Sequence, residues 1–531
     1  MKMLTTSEGR LFSVFLTVFC VWIVTAQKQP NIIFIVADDL GWNDVSFHGS
    51  EQIPTPNIDK LAYEGVILFN YYVQPICTPT RSAIMTGRHP IHTGLYHNVI
   101  MGQEPFGLRP NETTVAQYLH DLNYSTVMIG KWHLGFFAKE YTPTYRGFDY
   151  HLGYYTGKED YFVHTSNEHI AGDKHAFWGY DFHKNGEVYK PEFGQYSTEL
   201  YADAAINILK NHDTSKPLFL YLPFQAVHSA NEDDPLQAPQ KYIDRFPYIQ
   251  NKQRKVYAAM VSALDDAVGN VTASLKETGL YNNSVIFFTT DNGGPVCGFD
   301  YNCASNFPLR GVKATLWEGG VRGVGLVNSP FLKKPGRISE DLVHVCDWLP
   351  TIYHLAGGDT SKLKNLDGYN QWETISSGVT SPRKEVIHNI DTVGNFSAIR
   401  MGDYKLVVNS NYNGSWDGWY PTKDEDEDFV IPVNVNPQAA VVHCPPKPPD
   451  VETNCQPFKA PCLFNIRNDA CEYINIAAQH PDIVSKLQAR IAELLPTVVP
   501  AANKPEDVNA DPRLHGGNWV PWINLTQFNE V

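Results

Sequence analysis

The chain has 531 residues, a formal net charge of -15, and 43% hydrophobic against 19% charged residues. That is ordinary composition for a globular protein with a large core, and the length suits two or three domains, or one large and one small. The acidic balance argues against a nucleic-acid partner, since no overall basic field would draw in phosphates, and any anionic substrate must be captured by a local cationic pocket.

Residues 1–26 read as a signal peptide. Lys2 and Arg10 form a positive start, Leu11 to Val24 is apolar, and Val24-Thr25-Ala26 offers small residues before a cut ahead of Gln27. The alternative, a signal anchor, is disfavoured because the apolar run is short for a membrane span. No later stretch is long and apolar enough to cross a bilayer, so the mature chain is expected to lack a transmembrane segment. Sequons at Asn111, Asn123, Asn270, Asn282, Asn395, Asn413 and Asn524 point to a glycoprotein of the secretory pathway, secreted or lysosomal.

Asn31-Ile32-Ile33-Phe34-Ile35-Val36 is a short continuous apolar run, the pattern of a strand buried on both faces in a parallel sheet. Asp38 and Asp39 follow at its carboxyl end, where open α/β sheets bind ligands. Adjacent carboxylates repel unless a cation lies between them, and calcium or magnesium takes such oxygen ligands. Alone, the pair reads better as an Asp-rich turn capping the next helix. Pro54 to Ala62 reads as a capped helix start.

Next comes Cys77-Thr78-Pro79-Thr80-Arg81, continued by Thr86-Gly87-Arg88. Pro79 suits the first turn of a helix, which leaves Cys77 at or just before a helix N-terminus among free N–H groups that favour an anion. Arg81, one turn on, offers a planar fork of donors. The bland alternative is a buried cysteine at a proline turn. The stretch resembles the sulfatase signature C-x-P-x-R with a following T-G-R. That resemblance implies that Cys77 is oxidised by the formylglycine-generating enzyme to formylglycine, whose aldehyde hydrate is the nucleophile.

A helical pattern from Thr114 to Leu122 precedes the apolar run Tyr124–Ile129, which ends in Gly130-Lys131-Trp132-His133-Leu134-Gly135. Lysine is a compact cation for an oxyanion and histidine titrates in a useful range. The run Leu218–Leu222 reads as a further buried strand, with His228 in the loop after it. Val256–Ala273 has helical spacing, with Asp265 and Asp266 expected on its exposed side. Val285–Thr290 is another strand and ends in Asp291-Asn292-Gly293-Gly294. This repeats the first site's logic, so Asp38, Asp39, Asp291 and Asn292 form a plausible calcium set. Arg310-Gly311-Val312-Lys313 leads to Glu318-Gly319-Gly320-Val321-Arg322. These blocks, in this order, are similar to sulfatases throughout, and most similar to the arylsulfatase B (N-acetylgalactosamine-4-sulfatase) branch, from about residue 30 to about residue 410.

What the resemblance implies is specific. The metal ligands are Asp38, Asp39, Cys77 as formylglycine, Asp291 and Asn292, around one divalent cation, calcium by preference. Lys131, His228 and Lys313 bind the sulfate ester, a sulfated glycan or a small sulfate. His228 protonates the leaving oxygen, His133 helps release sulfate from the hydrate, and Arg81 holds the hydrate in place. Position 80 is Thr where Ser is commoner, Met101–Pro110 lacks expected cysteines, and Asn411–Pro461 with its acidic run Asp424–Asp428 looks lineage-specific. These departures bear on substrate identity. A two-zinc phosphatase relative and a non-catalytic binder are rival readings, and so is a small-molecule sulfatase acting on aryl sulfates or glucosinolates.

With Cys20 in the signal segment and Cys77 assigned to catalysis, seven cysteines remain. Cys297 and Cys303 flank a short loop they could close; Cys444, Cys455, Cys462 and Cys471 lie in a Pro-rich region that looks stapled; Cys346, in the helical pattern Val343–Ala356, is the candidate free thiol. Pairing within the last four is open. Apolar strands alternating with helices predict a large α/β domain with a mixed, mostly parallel sheet flanked by helices. The resemblance makes it the alkaline-phosphatase-like sulfatase fold. The expected division is 1–26 signal peptide, 27–385 catalytic domain and 386–531 smaller domain, the last with an antiparallel sheet and a helix from Asp482 to Leu495.

Overall fold

The computed structural model describes residues 28–169, 176–190, 194–422 and 436–525. The predicted signal peptide and the acidic run Asp424–Asp428 lie outside the described residues. The strand Asn31–Ala37 stands at the middle of a ten-stranded sheet. It pairs in parallel with Ser284–Thr290 on one side and Leu218–Pro223 on the other, and Ser125–Lys131 continues in parallel beyond Leu218–Pro223. Gly325–Asn328 runs antiparallel to Ser284–Thr290, so the sheet is mixed.

The continuous apolar run has a simple cause, because both faces of the strand are covered. Ile33, Ile35 and Ala37 pack into one core and Ile32, Phe34 and Val36 into the other. The first core is closed by the helices Pro56–Glu64, Ser197–Asn211 and Lys252–Glu277. The second is closed by Cys77–Thr86, Val115–Asp121 and Trp348–Leu355. Thr114 starts Val115–Asp121 through a reciprocal capping box with Gln117.

One expectation is overturned here. Asp265, read as exposed, is buried, and its carboxylate accepts hydrogen bonds from the backbone N–H groups of Asn57 (3.1 Å) and Ile58 (2.8 Å). It caps the N-terminus of Pro56–Glu64, whose own N-cap residue Thr55 provides no side-chain cap. The helical pattern from Val343 also begins later than expected: Arg337–His344 is a strand, and the α-helix starts at Trp348.

A second sheet, four-stranded and antiparallel, is built from Glu385–Asp391, Phe396–Met401, Tyr404–Val408 and Cys462–Asn465, in that order. The helix Pro481–Leu494 lays Leu487, Ile491 and Leu494 on it. Disulfides join Cys297 to Cys303, Cys444 to Cys471 and Cys455 to Cys462, while Cys77 and Cys346 are free and buried. Beyond the helix the chain returns to the large sheet's side, where Trp519 is buried in the second core. No helix among the described residues is long and apolar enough to cross a membrane.

Candidate active site

The four parallel central strands end at one edge of the sheet, and the predicted site residues collect there. Asp38 and Asp39 follow Asn31–Ala37, Asp291 and Asn292 follow Ser284–Thr290, Lys131 is the last residue of Ser125–Lys131, and His228 lies in the loop after Leu218–Pro223. Facing them is the helix Cys77–Thr86, with Cys77 at its first position and Pro79 in its first turn. Thr80 anchors this helix by donating its hydroxyl to the Asp291 carbonyl at 2.5 Å. Gly293 allows the close approach of the Asp291 loop to the segment of Glu318, since a Cβ there would lie 1.8 Å from the Gly319 carbonyl oxygen.

Charge alternates through the cluster. Arg81, fully buried, donates to Asp291 Oδ2 from two nitrogens (3.2 and 2.9 Å), lies 3.3 Å from Asp38 Oδ2 and donates to the Lys131 carbonyl at 3.1 Å. Lys131 Nζ is 2.6 Å from Asp38 Oδ2. Lys313 Nζ is 2.8 Å from Asp39 Oδ2 and 3.1 Å from His228 Nε2. Cys77 Sγ lies 3.7 Å from Asp38 Oδ1. Burial and the neighbouring Asp291 carboxylate push Asp38 up to about 8, and burial with Asp300 and Asp291 pushes Asp39 up to about 6. Burial opposes ionisation of Asp291 too, but Arg81 and Lys131 hold it below the usual carboxylate range.

These residues fit a hard divalent cation. Donor atoms of Asp38, Asp39, Cys77 and His228 lie within 4.8 Å of one another. Asn292 donates its amide to Asp39 Oδ1 at 2.6 Å, while its own side-chain oxygen is buried with no hydrogen-bond partner in the described residues. A buried amide oxygen left over beside carboxylates suits a cation rather than another acceptor. Geometry therefore adds His228 to the neighbourhood of the predicted ligand set, on the side of Lys313.

The two histidines differ in tautomer. His133 Nε2 donates to the Ile100 carbonyl at 2.9 Å, which leaves Nδ1 as a buried base with no hydrogen-bond partner among the described residues. His228 Nδ1 donates to the Ser229 carbonyl at 2.7 Å, so its Nε2 carries the lone pair that Lys313 meets. Burial and the nearby lysines hold both imidazoles well below the ordinary histidine value. The Cys77 thiol is pushed well up by burial.

Cys77, His133, His228 and Lys313 open on one cavity of about 340 Å³. The sequence reading missed Lys158, Glu168, Phe299, Asp300 and Tyr412, which also line it. Asp300 sits inside the loop closed by Cys297 and Cys303, which are six positions apart, and that spacing was its only signal. Glu318 and Arg322, part of the same motif as Lys313, do not line this cavity. Glu318 instead pairs with Lys405 of the second sheet at 3.0 Å, and Lys405 with Glu472 at 2.9 Å, so these residues join the two sheets.

Taken together, the site holds buried cations interleaved with carboxylates, a cysteine at a helix N-terminus and two buried imidazoles. Comparison with known proteins agrees. The sulfatase family pattern matches residues 30–358. Arylsulfatase J of Mus musculus is 43% identical over 515 residues, covering 93% of this chain and 80% of that protein. Human N-acetylgalactosamine-6-sulfatase is 27% identical over 517 residues, covering 93% of this chain and 89% of that protein. The crystal structure of Ps i-CgsB in complex with k-i-k-neocarrahexaose superposes with a TM-score of 0.73 at 28% identity, covering 92% of this chain and 98% of the other. The chain belongs to the sulfatase family and is a sulfuric ester hydrolase of the arylsulfatase type.

Proposed function

We propose that this sulfatase is arylsulfatase B-like, has its Cys77 oxidised to formylglycine by the formylglycine-generating enzyme, and removes sulfate from N-acetylgalactosamine-4-sulfate ends of glycosaminoglycans. The observation that carries the reading is the convergence, at one sheet edge, of Cys77 with three buried carboxylates, two buried lysines and two neutral imidazoles. Asp38, Asp39, Asp291 and Asn292 would hold a divalent cation, calcium by preference. When bound, it supplies positive charge to sulfate oxygens and favours the ionised hydrate. Formylglycine supplies paired hydroxyls on one carbon, which a plain serine or cysteine lacks.

The chain's own residues do the rest. Lys131 and Lys313 bind sulfate oxygens and stabilise charge shifting onto them. Arg81 keeps Asp38 and Asp291 oriented. His228, once protonated at Nε2, gives that proton to the leaving oxygen. His133 Nδ1, the unpartnered base, takes a proton from the hydroxyl at position 77 when sulfate leaves. We also propose the division 27–385 and 386–531, supported by the start of the second sheet at Glu385, and delivery through the secretory pathway, supported by three disulfides.

A cavity of about 340 Å³ is also compatible with a small sulfate ester, an aryl sulfate or a glucosinolate, as the main substrate. The deciding experiment measures sulfate release from an N-acetylgalactosamine-4-sulfate-terminated oligosaccharide and a glucosinolate, at acidic and neutral pH. Release from the oligosaccharide, best in acid, supports the glycosaminoglycan reading; release only from the small ester replaces it. Cys77→Ala should fold normally and release no sulfate, and substantial turnover by that variant would end the formylglycine mechanism.

A further inference from the structure

An ammonium group has three N–H donors, and Lys313 uses all of them: Asp39 Oδ2 at 2.8 Å, Asp300 Oδ2 at 2.6 Å and His228 Nε2 at 3.1 Å. Lys313 can take a sulfate oxygen only when one partner lets go. Asp39 is fully buried, and His228 is buried and pinned to the Ser229 carbonyl. The Asp300 side chain is 36% exposed and lies at the cavity mouth. Its backbone is fixed by the Cys297–Cys303 disulfide, by Ser229 Oγ donating to the Asp300 carbonyl at 2.9 Å, and by Asn302 donating to the Val227 carbonyl at 3.0 Å. Its carboxylate alone is free to swing outward.

We propose that Asp300 is a specificity-determining residue of this sulfatase. In the free enzyme its carboxylate occupies the place of a sulfate oxygen on Lys313. Once the ester displaces it, it stays beside the leaving group, 4.0 Å from His228 Nε2 before displacement. A carboxylate held there repels a second anionic group near the scissile ester, so the pocket selects leaving groups that are otherwise neutral. Lys158, the other cation of the lining, acts on both His228 and the buried Glu168 carboxylate, and Glu168 offsets part of its charge. The neighbouring Phe299 and Tyr412 rings, 5.5 Å apart, give the neutral portion an apolar wall.

The inference rests on the sulfate-ester reading, and the sulfate-binding half of its test does not depend on turnover. Inorganic sulfate is titrated calorimetrically into the wild type, Asp300→Asn and Asp300→Ala, and sulfate release is measured separately on monosulfated and disulfated N-acetylgalactosamine. Both variants should bind sulfate about tenfold more tightly, equivalent to about 1.4 kcal/mol. The disulfated-to-monosulfated ratio of kcat/KM should rise by a similar factor. Unchanged or weaker sulfate binding in both variants overturns the proposal. If Asp300→Ala does not fold, the isosteric Asp300→Asn decides. Failure of the wild type to release sulfate from either sugar refutes the glycosaminoglycan reading, while the sulfate titration still judges Asp300.

Discussion

Replacing His228 by Gln separates proton delivery from simple packing. The wild-type ring gives its Nδ1 proton to Ser229 at 2.7 Å and presents a bare Nε2 to Lys313 at 3.1 Å. Burial, then Lys313 and Lys131, hold its pKa well below the ordinary value. The ring is therefore neutral near pH 7 and must gain a proton before it can act as a general acid. The expected consequence is a wild-type kcat/KM on a sugar sulfate that climbs as pH falls below neutral. Gln keeps an acceptor for Lys313 but delivers no proton. The loss on a sugar sulfate should be about 10²–10⁴-fold, or roughly 3–5 kcal/mol in the barrier. On an aryl sulfate, whose leaving phenolate needs little help, the loss should stay within about tenfold. The assay is sulfate release from both esters across roughly pH 4 to 8. Equal losses on the two esters, or an acid limb that survives in the variant, would refute general-acid catalysis by His228.

Two further outcomes bear on the frame and on the carboxylate cluster. Asp265→Ala removes the buried carboxylate that caps Pro56–Glu64 and leaves the N–H groups of Asn57 and Ile58 unsatisfied. It should lower stability by roughly 2–4 kcal/mol with kcat retained, read from the urea midpoint; a loss below about 1 kcal/mol would show that the cap is dispensable. Chelation should abolish turnover, and calcium should restore it. In the chelated protein Asp39 and Asp38 are raised to about 6 and about 8 from an ordinary 3.8. The stability contributed by their protonated forms is complete below the ordinary value and is lost as pH rises through the two raised values. Thermal melts with chelator should therefore fall between about pH 4 and 8, while melts in saturating calcium should flatten; the same fall in both would remove the cation from this site.

The parts of the protein that were legible in the sequence are those with a local physical cause. A strand covered on both faces must be apolar throughout, so Asn31–Ala37, Leu218–Pro223 and Ser284–Thr290 announced themselves, and the residues following them marked the ligand-bearing edge. Pro79 in the first turn set Cys77 at a helix start for the same kind of reason. The odd cysteine count singled out Cys346 as a free thiol.

Tertiary structure alone decided everything that depends on which distant segments meet. Nothing in helical periodicity distinguishes an exposed Asp265 from one driven against the start of another helix 208 residues away. Nothing in the spacing of Cys444, Cys455, Cys462 and Cys471 selects the nested pairing observed. The unpartnered Nδ1 of His133 and oxygen of Asn292 arise from contacts made elsewhere in the chain. Lys313 could be picked out as a cation by its motif. Only the folded chain shows its three donors already taken, because their partners come from three separate loops held together by long-range packing.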